Sequence, residues 1–492
     1  MVPENVLLVI PRMRSPYDSV IPNASAVAVS SALATDPIIL DLNATPDDAL
    51  VTAATQSDVR FAFFTCMVDS YGAAIEGARK LRDVAPQIRT AVGGAHVTLI
   101  ASAGGEIDPS FDAVAVGEAE AVMSRLLNEL RLERGAQKVI AGPGRRPLLS
   151  VNEWASVKPR WGAVLQPHHL PLLMIEGSRG CPFHCQFCSH SDLAGDVLRT
   201  KSAGHLVCEL SAAQQECGVH HFRFTDSDLT SPARRFAEIC KDLRDYRAAN
   251  DVEWVAFARM GDLDPNALAL ARAAGCIGMF VGIESPKDST LRQLRKAFNR
   301  TAARASIRAA RDLGVLLFAN YMFGLPGDKA EDWELIVEDV LDLGFQSVNV
   351  NQFFLAPKSR YAEDAVDYGV QVTDHRWLDH FHEIFEEGLE YFRTREMTQP
   401  EMQEGVRKIR SSLMENKVLW NLRDYHLLAW RSVGGNSDQL YRIWNKPEDV
   451  LEGDALYAVQ EMRGRGVCKD RFDSPAQFKS GLVRAVGSSF IL

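Results

Sequence analysis

The sequence predicts an α/β protein with an N-terminal doubly wound (Rossmann-like) domain, a partial (β/α)6 barrel and a mainly helical C-terminal domain. Short apolar strands alternate with helical stretches in two separate runs, which is the pattern of parallel sheets covered by helices. A proline-rich interruption separates the runs, and the sequence becomes amphipathic and rich in aromatics near residue 364. We therefore assign residues 1–140 to the first domain, 141–170 to a linker, 171–360 to the barrel and 361–492 to the C-terminal domain.

Length and composition are those of a globular protein. The 492 residues are 46% hydrophobic and 24% charged, which excludes a disordered chain, collagen and a coiled coil. The net charge of −10 argues against a broad nucleic-acid-binding face. No apolar stretch approaches the roughly 18 residues of a membrane span, and the first apolar run, residues 6–10, is too short for a signal peptide. We therefore expect neither a nucleic acid nor a membrane as a partner.

The first run contains five predicted strands, with helical stretches at Tyr71–Val84 and at 118–132 among them. These strands are short, apolar and often β-branched, and they lie at residues 6–10, 37–42, 59–64, 90–92 and 113–116. Ligands of an open parallel sheet bind at the carboxyl ends of its strands. The residues that follow these strands are therefore candidate binding positions.

The second run follows a linker that contains Pro143, Pro147, Pro159 and Pro167, and we expect this linker to be extended. The run contains six predicted strands, at residues 172–176, 221–225, 254–259, 278–283, 315–321 and 347–354. Six β/α units cannot close an eight-stranded barrel, so an open partial barrel is predicted. In the C-terminal domain we expect the aromatics to be mostly core, and His375, His380 and His382 to lie on a solvated helix face.

The clearest chemical feature is a C-x3-C-x2-C array, formed by Cys181, Cys185 and Cys188, directly after the first barrel strand. Three thiolates on one loop can bind three irons of a [4Fe–4S] cluster, leaving the fourth iron open to a small molecule. A zinc site with His184 or His190 as the fourth ligand is one alternative, and a set of buried free thiols is another. Because all nine cysteines of the chain fit a reducing compartment better than disulfides, we expect a cytoplasmic protein.

The array resembles the signature of radical S-adenosylmethionine (radical SAM) enzymes, including the aromatic Phe187 before the last cysteine. Further segments similar to motifs of that family follow in the family's order, over about residues 172–357. They are the second-strand motif Phe224-Thr225-Asp226-Ser227-Asp228, the third-strand arginine in Phe257-Ala258-Arg259, the fourth strand Val281-Gly282-Ile283-Glu284-Ser285, the basic turn Leu294-Arg295-Lys296 and the fifth-strand turn Gly324-Leu325-Pro326-Gly327.

This resemblance implies a site for S-adenosylmethionine beside the cluster. The second-strand residues Asp226, Ser227 and Asp228 would hold the amino end of the molecule. Arg259 and Lys296 would pair with its carboxylate, and Glu284 would accept a hydrogen bond from its ribose or ammonium group. For each of these three charged residues, an ordinary structural ion pair is the alternative.

The first domain is similar to the cobalamin-binding domain attached to one subgroup of radical SAM enzymes. Three segments carry this resemblance: Phe64-Thr65-Cys66-Met67, Val92-Gly93-Gly94-Ala95-His96 and Val116-Gly117-Glu118. It implies that Gly93 and Gly94 let the backbone approach the nucleotide tail of cobalamin, and that Gly117 and Glu118 offer N–H groups to it. His96 would face this tail and not the cobalt, which would lie beside Cys66, Met67 or Val68. Thr65 of the same segment is a further candidate contact of cobalamin. Ordinary strand–helix turns are the alternative.

The sequence therefore predicts an enzyme with three cofactors: a [4Fe–4S] cluster, S-adenosylmethionine and cobalamin. The predicted reaction is methylation of an unactivated carbon in a small-molecule, natural-product or peptide substrate, supplied with electrons by a flavodoxin- or ferredoxin-like one-electron reductant. Cyclisation or rearrangement with cobalamin is the alternative within the family. A non-catalytic iron–sulfur, zinc or cobalamin-binding sensor is the alternative from another class.

Overall fold

The computed structural model describes residues 5–13, 21–33, 37–46, 48–56, 58–132, 135–141, 149–155, 161–166, 169–463 and 475–488. Its first unit is a parallel sheet of six strands in the order β2-β1-β3-β4-β5-β6, with helices on both faces. The elements are β1 (Asn5–Ile10), α1 (Ala24–Ser30), β2 (Ile38–Asp41), α2 (Ala49–Gln56), β3 (Val59–Thr65), α3 (Tyr71–Val84), β4 (Arg89–Gly93), α4 (Ala95–Ala103), β5 (Ala113–Val116), α5 (Ala119–Leu130) and β6 (Lys138–Ala141).

Alternation of side chains along the strands gives this sheet two separate cores. Leu7 and Val9 of β1 pack into one hydrophobic cluster, whereas Val6 and Leu8 of the same strand pack into another. The five predicted strands are all present. A sixth, β6, pairs with β5 and ends at Ala141, so it runs one residue past the predicted domain boundary.

The predicted linker is packed against both neighbouring units where it is described. It contains α6 (Val151–Ala155) and a 3-10 turn at Trp161–Ala163, and the side chains of Trp154 and Trp161 are buried. His169 Nε2 lies 2.8 Å from Asp41 Oδ2 of the first unit. The expectation of an extended linker is therefore corrected for this part, while the four prolines on which it was based lie outside the described residues.

The second unit is an open, parallel, barrel-like sheet of seven strands in the order β7-β10-β11-β12-β13-β14-β17. Six of these strands are the predicted ones, and the seventh, β17 (Leu419–Trp420), comes from the C-terminal region and pairs with β14. The elements up to β14 are β7 (Leu172–Ile175), β8 (Ser178–Arg179), α7 (His190–Ala194), β9 (Arg199–Thr200), α8 (Ala203–Cys217), β10 (His221–Phe224), α9 (Ala233–Arg247), β11 (Glu253–Arg259), α10 (Pro265–Ala273), β12 (Cys276–Glu284), α11 (Asp288–Gln293), α12 (Arg300–Asp312), β13 (Leu316–Phe323), α13 (Trp333–Leu343) and β14 (Ser347–Gln352), with 3-10 turns at Met260–Asp262 and Ala330–Asp332.

The C-terminal region is mainly helical and shares its core with the barrel. Leu427, Trp430 and Trp444 pack in one cluster with the barrel residues Leu172 and Phe318. Its elements are α14 (Arg360–Glu363), β15 (Val370–Val372), α15 (Phe381–Glu387), β16 (Phe392–Thr394), α16 (Gln399–Glu415), β17 (Leu419–Trp420), α17 (Asp424–Ser432), α18 (Ser437–Trp444), a 3-10 turn at Pro447–Asp449, α19 (Gly453–Arg463) and α20 (Pro475–Ser488). None of the helices in the described ranges is long and apolar enough to cross a membrane.

The turn between β4 and α4 depends on Gly94. This residue has φ +106° and ψ −178°, a conformation that is essentially restricted to glycine, and a Cβ would collide with the backbone carbonyl and amide of Cys66. Gly104, at the other end of the same helix, also has a positive φ, but a Cβ there would meet no atom within 4 Å.

We expect Gly94→Ala to lower the apparent melting temperature of the protein clearly more than Gly104→Ala does. Both variants bear the cost of a positive φ, about 1–2 kcal/mol, but only the first must also displace backbone. Thermal unfolding followed by circular dichroism makes the comparison. Equal shifts for the two variants would show that the β4–α4 turn tolerates a side chain.

Candidate functional site

The three cysteines lie on a loop that is closed at its base by the antiparallel pair β8–β9, in which Arg179 faces Arg199. Gly180, which precedes the first cysteine, has φ +89°, and a Cβ there would collide with the carbonyl of Val197. The N–H of Cys181 donates to the carbonyl of Gly195 at 3.0 Å. The start of the cysteine array therefore packs against residues 195–197, the segment that leads into β9.

The three thiols share one environment, which they form together with two cationic side chains. Burial raises the pKa of Cys181, and it raises that of Cys188 to about 11; the charges of Arg259 and Lys296 respectively act in the opposite direction. Cys185 lies close enough to raise the pKa of both other thiols, and Cys181 also raises that of Cys188. In the described residues no three His, Cys, Asp or Glu side chains converge on a point suited to a single metal ion.

The two histidines considered as zinc ligands are placed differently. His184 is exposed, whereas His190 is largely buried and its Nε2 lies 2.5 Å from Ser227 Oγ. The backbone N–H of His190 points at Cys188 Sγ at 3.4 Å. His190 therefore links the cysteine loop to the end of β10, where Ser227 was predicted as a contact of S-adenosylmethionine.

Asp226 supports the loop structurally. It is fully buried, and it accepts hydrogen bonds from Gly177 N at 2.9 Å and Ser178 Oγ at 2.5 Å. A third donor, Arg235 Nη2, lies 3.5 Å away. Its acceptor positions are used by these donors, so the structure gives it the role of fixing the start of β8 in place of the predicted contact with a small molecule.

Asp228 is better placed to bind a ligand. Its Oδ1 accepts from Thr230, whereas Oδ2 is buried and has no partner among the described residues. Burial raises the pKa of Asp228 to about 6, and the nearby Asp262 adds to this effect. Arg259 lies above the ring of Phe183, 3.5 Å from its centre, and its Nε is 3.9 Å from Asp262.

Glu284 and Lys296 form a direct ion pair at the end of β12. Glu284 has φ +69°, and the register between β12 and β13 shifts between Gly282 and Glu284. A Cβ at Gly282 would collide with Glu284 Oε1 and Lys296 Nζ, so the glycine leaves room for the pair against the backbone. Lys296 also lies 5.7 Å from the ring centre of Phe187. The motif residues predicted around the cysteine loop are thus brought together.

A cavity of about 280 Å³ separates the first unit from the cysteine loop. From the first unit it is lined by five of the predicted residues, and from the barrel by residues that flank the cysteines. The first group is Thr65, Gly93, Gly94, Gly117 and Glu118; the second includes Arg179, His190, Leu193, Thr225 and Ser227. A neighbouring cavity of about 410 Å³ shares Arg179 and Thr225 and is lined by the half-exposed Met67. Cys66 is buried and lines neither cavity.

The structure corrects the expected orientation of His96. Its side chain lies outside the lining of the 280 Å³ cavity and is buried against Tyr71, Phe381 and His382, with ring centres 4.7 to 6.3 Å apart. Burial lowers the pKa of His96 to about 3, and His382 acts in the same direction. His382 is correspondingly buried, so the prediction of a solvated helix face is wrong for this residue. The two histidines connect α4 to the C-terminal helix α15.

Sequence patterns missed the charged network that joins the two units. Glu118 Oε1 accepts from Arg179 Nη1 at 2.8 Å, and its Oε2 accepts from Arg199 Nη1 at 2.9 Å. Arg179 also donates to Glu120 at 2.9 Å and to Glu176 at 2.9 Å. Burial lowers the pKa of Arg179, but the three carboxylates outweigh this effect and raise it. No periodicity in the sequence signals that these residues meet.

Comparison with known proteins agrees with this arrangement. The profile of the radical SAM superfamily matches residues 175–340, and that of the B12 binding domain matches residues 16–127. The chain therefore carries a radical SAM domain and a B12-binding domain. It is 24% identical to an uncharacterized methyltransferase of Pyrococcus horikoshii over 345 residues, which cover 67% of this chain and 71% of the relative. It is 26% identical to the anaerobic magnesium-protoporphyrin IX monomethyl ester cyclase of Rubrivivax gelatinosus over 319 residues, 58% of this chain and 56% of the relative.

A solved structure has the same fold over almost the whole chain. It is the radical S-adenosylmethionine methyltransferase TsrM from Kitasatospora setae, with cobalamin and a [4Fe–4S] cluster bound. The TM-score is 0.71 at 16% sequence identity, and the match covers 93% of this chain and 99% of TsrM. The arrangement of the B12-binding domain, the open barrel and the helical C-terminal region is therefore shared.

The residues present fit the groups that this fold implies. In the radical SAM domain, three thiols and two cations face one another, the carboxylate oxygen Asp228 Oδ2 is buried without a partner among the described residues, and Gly282 leaves room beside the Glu284–Lys296 pair. In the B12-binding domain, Gly93 and Gly94 line the 280 Å³ cavity. Because glycine has no side chain, the backbone at these two positions is open to the cavity.

The Arg179 network gives a prediction about the contact between the two domains. Replacing Arg179 by Met leaves Glu118, Glu120 and Glu176 without their shared cation, and breaking such a buried pairing costs about 3–5 kcal/mol. Burial raises the pKa of Glu176 even with Arg179 in place, and removing the guanidinium raises it further above that of the unfolded chain. The loss of stability is therefore largest at neutral pH and shrinks as the pH falls toward about 5.

Chemical unfolding at several pH values measures this effect. Arg234→Met is the matched control, because Arg234 is 92% exposed and pairs with Glu238 of the same helix, α9. If Arg179→Met were as stable as wild type at neutral pH, the network would not hold the domains together.

Proposed function

We propose that this protein is a cobalamin-dependent radical SAM methyltransferase that transfers a methyl group to an unactivated carbon of a small-molecule or peptide substrate. The observation that carries the proposal is the 280 Å³ cavity, because one wall belongs to the B12-binding domain and the opposite wall flanks the cysteine loop. A methyl carrier in the first domain and a radical source in the second would face each other there. Ligands of both folds bind at the carboxyl ends of parallel strands, which supports this placement.

Cys181, Cys185 and Cys188 are proposed to hold a [4Fe–4S] cluster. When bound, the cluster and cobalamin supply the reductive cleavage of S-adenosylmethionine and the transfer of its methyl group. Arg259 and Lys296 lie beside the thiols and would neutralise the carboxylate of S-adenosylmethionine. Asp228 Oδ2, buried and unpartnered among the described residues, is the acceptor we propose for its ammonium group.

The B12-binding domain contributes shape more than charge. Gly93, Gly94 and Gly117 would let the nucleotide tail of cobalamin lie against the backbone. The carboxylate of Glu118 is occupied by Arg179 and Arg199, so its role is to hold the cavity wall in place. On the cobalt side, Met67 lines the neighbouring cavity, and we propose that no imidazole reaches the metal there.

We expect each single variant Cys181→Ala, Cys185→Ala and Cys188→Ala to lose the cluster, because two thiolates are too few to retain it. Iron and sulfide analysis after anaerobic reconstitution measures this loss. Cys208→Ala, which removes an exposed cysteine of α8, serves as the control and should retain full iron. A cluster retained in full by any of the three loop variants would refute the assignment.

The proposed reaction can be tested before the substrate is identified. The reconstituted, reduced protein loaded with cobalamin should convert S-adenosylmethionine to S-adenosylhomocysteine, because methyl transfer leaves that product, and also to 5′-deoxyadenosine. Mass spectrometry of both products measures the two activities. Formation of 5′-deoxyadenosine alone would favour the cyclase or rearrangement alternative. The similarity to the Rubrivivax cyclase supports that alternative. Formation of neither would favour a sensor. The electrons are proposed to come from a flavodoxin- or ferredoxin-like reductant.

A further inference from the structure

A third cavity, of about 610 Å³, lies between β14, α15 and the segment that enters α17. Its volume is in the middle of the range of small-molecule sites. Asn349, Asn351 and Gln352 line it on the strand side. At its rim lie Phe354, Phe385 and Leu389, which are 47%, 40% and 42% exposed. Large apolar side chains that remain exposed around a cavity indicate that an apolar molecule covers them.

A ladder of amide side chains connects this cavity to the residues proposed to bind S-adenosylmethionine. Asn349 Nδ2 and Asn351 Nδ2 donate to Asn320 Oδ1 at 2.7 and 3.1 Å. Asn320 Nδ2 in turn donates to Glu284 Oε2 at 3.1 Å, and Glu284 pairs with Lys296. The side chains of Asn349 and Asn320 therefore connect the cavity to the Glu284–Lys296 pair.

Arg423 is the feature of this cavity that other contacts do not explain. Its guanidinium carbon lies 4.6 Å from the ring centre of Phe280 and 4.8 Å from that of Tyr425. Its Nε is buried and has no hydrogen-bond partner among the described residues. The other arginine that contacts Tyr425, Arg223, donates to Asp424 at 2.9 Å. Removing this N–H group from water is costly without an acceptor, and the aromatic rings replace the lost hydration only in part.

We propose that this cavity binds the methyl-accepting substrate, and that Arg423 binds a carboxylate on it while the body of the substrate packs against the aromatic rim. The substrate class is then an apolar, aromatic or alicyclic carboxylate. Glu461 and His426 line the same cavity, and His426 Nδ1 accepts a hydrogen bond from the backbone N–H of Arg423. The identification of the ligand as substrate rests on the proposed function, whereas the preference for a carboxylate does not.

The test compares two probes of the same shape, 2-naphthoate and the neutral 2-naphthamide, by titration calorimetry on the full-length protein reconstituted with iron, sulfide and cobalamin but without S-adenosylmethionine. We expect 2-naphthoate to bind about ten-fold more tightly or better, and Arg423→Met to abolish that preference while binding 2-naphthamide as wild type does. Binding of the amide shows that the variant is folded. Arg423→Lys should retain part of the preference. Arg407→Met, which removes an exposed arginine paired with Glu404, should retain all of it.

Three outcomes would overturn the proposal: equal binding of the two probes to wild type, a preference that survives in Arg423→Met, or saturable binding of neither probe. Because no S-adenosylmethionine or reductant is added, these results are independent of the product analysis that tests the proposed function. Failure of the carboxylate site would leave the proposed function unaffected, and failure of the proposed function would leave the carboxylate site unaffected.

Discussion

The pairing of Glu118 with Arg179 and Arg199 is the interaction on which the arrangement of the site depends. The two arginines face each other across the β8–β9 pair that closes the cysteine loop, and both bind one carboxylate of the B12-binding domain. The same residues thus fix the base of the loop and the contact between domains. The wall that would hold cobalamin and the loop that would hold the cluster are positioned by one set of charges.

The cost of burying these charges explains why Arg179 and Glu118 have so many partners. Arg179 is paired with three carboxylates, and Glu118 also accepts from the backbone N–H of Leu149 in the connecting segment. A buried ion is tolerated when nearly all of its donors or acceptors are used. Trp154 of the same segment lies beside Arg179 and Lys201, with its ring centre 5.4 and 4.8 Å from their charges. The connecting segment therefore belongs structurally to the site.

The sequence predicted the strands and the cysteine loop, because both are local features. A short apolar run indicates a buried strand, and the spacing of Cys181, Cys185 and Cys188 is contained within one loop. It could not predict contacts made between distant segments. The strand β17 joins the sheet from beyond residue 400. Asp226 accepts hydrogen bonds from Gly177 and Ser178, and the side chain of His96 packs against α15. Each of these depends on tertiary packing, which neither periodicity nor spacing encodes.

We propose that cobalamin in the first domain and the cluster on the cysteine loop occupy facing sites. Electron paramagnetic resonance of the protein carrying cob(II)alamin and the reduced cluster tests this arrangement most directly. We expect one equivalent of bound corrin whose signal is broadened by dipolar coupling to the cluster, with no nitrogen splitting from an axial imidazole. An uncoupled cob(II)alamin spectrum at full occupancy of both cofactors would contradict it.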